Sequence, residues 1–163
     1  MKRAGLLALV VGLLMALTAG VAVAATINGT SGDDTLRGTE EADEITGFRG
    51  DDSISGRQGD DRIMAGPGND EVFGDRGGDT IKGRTGADEL QGGRGNDDIS
   101  AGNDRQTDFV FCGRGTDVAR IQVDDLVDGE VSGESLLNGV NTVTSCETIF
   151  VNGIEVTNPV TTR

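Results

Sequence analysis

Aspartate is the only residue type here whose number and spacing could organise chemistry. It recurs every ninth position at Asp34, Asp43, Asp52, Asp61, Asp70, Asp79, Asp88 and Asp97, without an insertion or deletion. Two positions after each comes a branched apolar residue: Leu36, Ile45, Ile54, Ile63, Val72, Ile81, Leu90 and Ile99. The chain of 163 residues has no histidine, which removes the commonest general base, the Ser/His/Asp and Cys/His nucleophile systems and every His-containing zinc motif. Paired carboxylates could still do acid/base work, but only in an apolar cleft that separates their pKa values. With five phenylalanines, no tyrosine and no tryptophan there is little from which to build one. The chemistry left to regularly spaced carboxylates is the binding of cations, so the expectation is a protein that is not an enzyme.

The elements that must position these carboxylates follow from the same period, and internal repetition outranks other fold signals. Residues 29–100 hold eight nine-residue phrases, each opening with glycine or alanine and usually carrying another glycine three residues later. The last three residues of a phrase, such as Thr35-Leu36-Arg37 or Thr80-Ile81-Lys82, set an apolar side chain between two mostly polar ones. That pattern predicts a very short strand with its middle residue inward. The glycine-rich remainder predicts a tight turn, with Gly29, Gly38, Gly47, Gly56, Gly74, Gly83 and Gly92 supplying turn backbone. Asp33, Asp51, Asp60, Asn69 and Asn96, just before the repeating aspartate, are residue types that tolerate left-handed backbone. Two phrases then form one coil of a flattened right-handed solenoid. One sheet carries Leu36, Ile54, Val72 and Leu90, and the other Ile45, Ile63, Ile81 and Ile99.

The phrase resembles the repeats-in-toxin (RTX), or haemolysin-type, calcium-binding nonapeptide, whose consensus marks a calcium-binding parallel β-helix. The best copy is Gly92-Gly93-Arg94-Gly95-Asn96-Asp97-Asp98-Ile99-Ser100. The resemblance implies an all-β fold, a right-handed parallel β-roll, whose turns bind Ca²⁺ through the aspartate of each phrase and through turn backbone carbonyls.

Electrostatics leads the same way. In such a stack Asp34, Asp52, Asp70 and Asp88 form one column and Asp43, Asp61, Asp79 and Asp97 another, with neighbours about 4.8 Å apart. Two carboxylates at that separation repel by roughly 3 to 4 kcal/mol at an effective dielectric of about 20. A divalent cation between successive turns converts each repulsion into a bridge. Calcium suits the place because it accepts six to eight oxygens in flexible geometry, whereas magnesium demands a tighter octahedron and keeps its waters. Three intervals in each of two columns give about six ions by this oxygen chemistry. Glu41 and Ala42 replace the usual glycine and Asp/Asn of the second phrase, so the weakest site is expected near Asp43.

Around this block the chain reads as delivery and capping. Met1-Lys2-Arg3, the apolar run from Ala4 to Ala19 and Ala22-Val23-Ala24 have the charge, hydrophobicity and small-residue cleavage pattern of a secretory signal peptide over residues 1–24. An uncleaved anchor is the competing reading, since about 20 apolar residues can span a bilayer. The β-roll domain is expected over residues 25–119. Within it residues 101–119 are degenerate copies in which two extra residues precede Asp108-Phe109-Val110 and in which Asp117 restores the aspartate; Asp108 and Asp117 are further candidate ligands. Residues 120–163 lose the period but gain Ile121, Val123, Leu126, Val127, Leu136, Leu137, Ile149, Phe150, Val151 and Ile154, material for the cap that a solenoid needs over its last coil. Cys112 and Cys146, the only cysteines, are expected to pair in an oxidising compartment and to staple that cap.

Without residues 1–24 the chain carries 12 basic and 28 acidic groups, a net charge of 12 − 28 = −16. Such a chain repels nucleic acid and anionic membranes and attracts cations. Low hydrophobicity with high charge is also a signature of disorder unless something neutralises the charge. Asp124 to Val131 imitates the start of an EF-hand loop, but Leu126 stands at a ligand position and Ser135 where the bidentate Glu belongs. The overall expectation is a secreted, non-catalytic, calcium-folded β-roll, reaching the exterior by bacterial export on its N-terminal signal. It would serve as a structural or adhesive extracellular module. The alternative is an accessory or partner-binding domain acting with a separate secreted enzyme or cell-surface component.

Overall fold

The computed structural model describes residues 23–102, 104, 106–121, 142–144, 146, 148–151 and 154–157. The expected signal peptide, except its last two residues, and the cap residues Val123, Leu126, Val127, Leu136 and Leu137 lie outside the described residues.

The nine-residue phrases fold into a parallel β-solenoid of about five coils. Strands alternate between two sheets: β1 (Thr26–Asn28), β3 (Glu44–Thr46), β5 (Arg62–Pro67), β7 (Thr80–Thr85), β9 (Asp98–Gly102) and β11 (Val118–Ile121) pair in order in one. In the other, β2 (Thr35–Arg37), β4 (Ser53–Gln58), β6 (Glu71–Arg76), β8 (Glu89–Arg94) and β10 (Phe109–Arg114) pair in order. Register is set by the repeat itself. Leu36 pairs with Ile54, Ile54 with Val72 and Val72 with Leu90, while Ile45, Ile63, Ile81 and Ile99 pair in the opposite sheet. A slip by one residue would turn every apolar side chain outward.

The core is two facing files of single residues: Ile54, Val72, Leu90 and Val110 from one sheet, and Ile45, Ile63, Ile81, Ile99 and Ala119 from the other, all buried. Ile27 and Leu36 in the first coil are partly buried and pack against this core. This explains how a chain with no tyrosine or tryptophan, and no phenylalanine in its described core, builds an interior. The sheets are separated by one β-branched or leucine layer, and length along the stack replaces width.

The strands are longer than the three residues expected. From β4 onward most run six residues, through the phrase boundary and into the next phrase. Gly56, Gly74, Gly83 and Gly92 therefore sit inside strands, not in turns; Gly83 shares its sheet with the buried Ala65 and Ala101, which hold the same strand position. They are the second inward-facing position of each strand, where the sheets close toward the turn and only a hydrogen or a methyl fits. Gly29, Gly38 and Gly47 follow the three-residue strands β1, β2 and β3 directly.

The two extra residues of the degenerate copy are absorbed between Gly102 and Phe109. β10 keeps register with β8 and β11 with β9. At the far end β12 (Thr142–Thr144) adds to β10 and β13 (Thr148–Val151) to β11. β14 (Ile154–Thr157) then turns antiparallel on β13, ending the parallel stack. Cys112 and Cys146 form a disulfide with Cα atoms 5.1 Å apart, tying β10 to the segment between β12 and β13. Arg120 lies over the Phe150 ring at 5.7 Å, a further contact between β11 and β13.

Candidate metal centre

Each repeating aspartate stands at the last turn position before a strand, and the stack brings same-side aspartates into line. Asp34, Asp52, Asp70, Asp88 and Asp108 run up one side; Asp43, Asp61, Asp79, Asp97 and Asp117 run up the other. The rungs are hydrogen bonds. The Asp34 N–H donates to Asp52 Oδ1 at 2.8 Å, Asp52 to Asp70 at 2.9 Å, Asp70 to Asp88 at 3.0 Å and Asp88 to Asp108 at 3.0 Å. In the second column Asp43 donates to Asp61 at 2.8 Å, Asp61 to Asp79 at 2.8 Å, Asp79 to Asp97 at 2.9 Å and Asp97 to Asp117 at 2.9 Å. The backbone carbonyl of each aspartate also accepts from the first strand residue one coil on, as in Ser53 N–H to Asp34 O at 2.9 Å and Thr80 N–H to Asp61 O at 2.8 Å.

One oxygen of each carboxylate is thus held by the neighbouring coil. The other is different. Oδ2 of Asp52, Asp61, Asp70, Asp79, Asp88 and Asp97 is buried and has no hydrogen-bond donor. A buried carboxylate oxygen without a partner costs several kcal/mol, so six in register are a demand for a ligand that supplies positive charge. The inward glycines make room beside them. A side chain at Gly56 would collide with Asp61 Oδ2, at Gly74 with Asp79 Oδ2 and at Gly83 with Asp88 Oδ2.

The first two aspartates depart from this pattern. Asp34 Oδ2 accepts from Thr30 N–H at 2.6 Å and Thr30 Oγ1 at 2.9 Å. Asp43 Oδ2 accepts from Thr39 N–H at 2.6 Å and Thr39 Oγ1 at 3.0 Å. A threonine in the second position of the phrase occupies the oxygen that elsewhere is left bare.

Burial raises the carboxyl pKa along both columns, partly countered by the backbone N–H on Oδ1 and reinforced by neighbouring aspartates. Asp79 and Asp88, in the middle of the stack, are pushed up to about 7. Asp61, Asp70, Asp97 and Asp108 are pushed up to about 6, and Asp52 is raised.

No group of three or more His, Cys, Asp or Glu side chains able to hold a metal occurs among the described residues. The side chains supply two carboxylates per interval, so a bound ion would need backbone carbonyls and water for the rest, a donor set of oxygens only. That is the chemistry of a hard cation such as calcium.

A second ladder was not anticipated. Asp51 N–H donates to Asp33 Oδ1 at 2.9 Å, Asn69 to Asp51 at 2.8 Å and Ala87 to Asn69 Oδ1 at 2.9 Å. On the opposite side Gly78 donates to Asp60 at 2.7 Å and Thr116 to Asn96 Oδ1 at 2.9 Å. These residue types tolerate left-handed backbone. Positive φ falls instead on the glycine just before them, at Gly50, Gly59, Gly68, Gly77, Gly86 and Gly95. Their side chains instead fasten each turn to the next coil, in the direction opposite to the aspartate columns. The visible signal was the run of Asp and Asn at that position.

The family described as RTX calcium-binding nonapeptide repeat (4 copies) matches residues 28–63, 46–81 and 73–105. A comparison with curated proteins returned no match. Eight phrases in register, their parallel β-solenoid and the family match agree: residues 28–105 of this chain belong to the RTX calcium-binding nonapeptide repeat family.

Proposed function

We propose that this protein is a secreted structural module that calcium folds and stiffens. The observation that carries the reading is the set of six buried, donorless Oδ2 atoms in two columns. Asp52, Asp70 and Asp88 on one side and Asp61, Asp79 and Asp97 on the other would hold calcium, which would supply the positive charge that these oxygens lack. Asp34, Asp43, Asp108 and Asp117 extend the columns at their ends. With three intervals among the four regular aspartates of each column, about six ions bind, by the flexible oxygen coordination of calcium. The site at Asp43 is the weakest, because Thr39 already satisfies its Oδ2 and Glu41-Ala42 alter the turn.

A chain of net charge −16 beyond residue 24 that buries carboxylates cannot order itself until the charge is neutralised, so metal binding and folding form one equilibrium. Extracellular calcium sites work at about 10⁻⁴ to 10⁻³ M. The chain would stay unfolded inside a cell and become rigid once export, with removal of residues 1–24, delivers it outside. No catalytic role is assigned, and adhesion or service to a separate secreted enzyme are uses of the same rigid rod.

Far-UV circular dichroism and calcium titration calorimetry of residues 25–163 test this. The expected result is a disordered spectrum in chelator, a cooperative gain of β-structure with calcium and binding of about six ions by the interval count. A spectrum already ordered in chelator and unchanged by calcium overturns the coupling.

A further inference from the structure

The outer face of the sheet that contains β4, β6 and β8 holds a groove with a volume of about 480 Å³, lined by Arg37, Glu40, Arg57, Asp75, Arg76 and Arg94, with Ser55 and Gln58. Four guanidiniums against two carboxylates make it a positive place on a strongly negative molecule. Arg57 pairs with Glu40 at 2.8 Å, and Gln58 also reaches Glu40. Ser55 Oγ donates to Asp75 Oδ2 at 2.7 Å. Glu40 is paired with Arg57, and Asp75 keeps its charge beside the serine hydroxyl, so the groove carries 4 − 2 = +2, while Arg37, Arg76 and Arg94 form no ion pair among the described residues.

Register turns these arginines into a ladder. Arg76 pairs with Arg94 across β6 and β8, and Arg94 with Arg114 across β8 and β10. Like charges directly opposite each other on adjacent strands are destabilising. The strand-adjacent acids Glu71 and Glu89 lie at the other end of the same strands, five residues away and roughly 16 Å distant by strand rise, too far to neutralise the arginines. The aspartate columns ask for cations between coils, and by the same physics the arginine ladder asks for anions.

The second position of the phrase takes left-handed backbone in both sheets, at Phe48 and Arg84 as well as here. Arg57 and Asp75 hold φ of 83° and 75°, in the left-handed region where a side chain is strained, while Gly93 and Gly113 take the matching place in the next two coils. On this face that conformation sets the Arg57 guanidinium and the Asp75 carboxylate on the groove wall.

We propose that this groove binds a ligand bearing two or more oxyanions one strand spacing apart, held in bidentate fashion by Arg76 and Arg94, with Arg37 also lining the groove. Either a small di-acid or an acidic polysaccharide offers that chemistry, with Ser55 and Gln58 available to hydroxyl groups. No lining side chain is aromatic, so a nucleic acid would find charge without a stacking platform.

Calorimetric titrations of the calcium-loaded full chain with ethanedisulfonate, methanesulfonate, a heparin oligosaccharide and a deoxythymidylate oligomer test the proposal. Sulfonates leave the calcium in place. The expected result is binding of the heparin oligosaccharide, with or without ethanedisulfonate, weakened more than about tenfold in the double variant Arg76→Gln/Arg94→Gln. Arg62→Gln, exposed on the opposite sheet, leaves it unchanged, and circular dichroism verifies the fold of each variant. Binding of both probes assigns a small di-acid as sufficient; binding of heparin alone assigns a polymeric source. The proposal is overturned if neither binds, if binding survives the double substitution, if methanesulfonate binds as tightly as ethanedisulfonate, or if the deoxythymidylate oligomer binds as tightly as heparin.

Discussion

At Asp79 the two oxygens of one carboxylate do different work: Oδ1 accepts the Asp61 N–H, and Oδ2 is buried without a donor. Asp79→Asn keeps the shape and an acceptor for the N–H while deleting the charge. The calcium midpoint for folding is expected to rise several-fold. In chelator the same variant is expected to be more ordered than the parent, because the group it replaces buries a carboxyl whose pKa is pushed up to about 7. Shifts of opposite sign in the two conditions, read by circular dichroism, separate an ion ligand from a packing residue; shifts of the same sign would reject the ligand role. A second residue-scale effect concerns φ. Phe48, Arg57, Asp75 and Arg84 have φ between 75° and 92°, a conformation that costs a non-glycine residue about 1 to 2 kcal/mol. Arg84→Gly is expected to raise the stability of the calcium-loaded protein by about 1 kcal/mol, seen as a higher denaturant midpoint at unchanged slope. The acid at every ninth residue was legible in the sequence. The inequality of its two oxygens, and the threonines that occupy Oδ2 of Asp34 and Asp43, were not, because they depend on which atom each neighbouring coil presents.

At the scale of the strand, the decisive feature is that β4 to β8 continue through the phrase boundary, so each strand points two residues inward. The branched residue fills the middle of the interior and the glycine or alanine fills its narrow end. Sequence periodicity located the first because an apolar residue between polar ones announces itself. It misplaced Gly56, Gly74, Gly83 and Gly92 in the turn, because a glycine that is small to fit a close approach looks the same as one that is free to turn. The last coil depends on a cross-link as well. The disulfide between Cys112 and Cys146 closes a 34-residue separation, worth about 4 kcal/mol in the chain-entropy account. Reduction in saturating calcium is expected to release β12 and β13 first, exposing amides of β10 and β11 to hydrogen exchange while those of β4 to β7 stay protected. Uniform loss of protection would show that the stack melts as a single unit.

Over the whole molecule, charge governs. Asp61, Asp70, Asp79, Asp88, Asp97 and Asp108 have pKa values of about 6 to 7 in the fold against 3.8 for an ordinary aspartate. Between those values the folded chain binds more protons than the unfolded one, so calcium-free stability falls as pH rises through the window. The chelated protein is therefore expected to gain structure on going from about pH 8 to about pH 5, the span set by these shifts. Calcium reverses the dependence. Ions require ionised carboxylates and displace their protons, so calcium affinity is expected to drop over the same acid range. Circular dichroism at both pH values, with and without calcium, checks both signs; a chelated chain that loses structure on acidification would contradict the burial of these charges.

By itself the sequence determined the repeat, the two phrases per coil, the in-register files of Ile, Leu and Val and the two acid columns. A period held without interruption leaves one way to stack that keeps every apolar side chain inside. Tertiary structure alone decided how the coils grip one another: the Oδ1 rungs, the opposing Asp/Asn ladder, the room beside the inward glycines and the bare oxygens that result. It also decided that arginines 18 and 20 residues apart stand side by side in one ladder. Periodicity specifies which residues become neighbours, but the distance and direction between their atoms are set only when the backbone closes each coil upon the last.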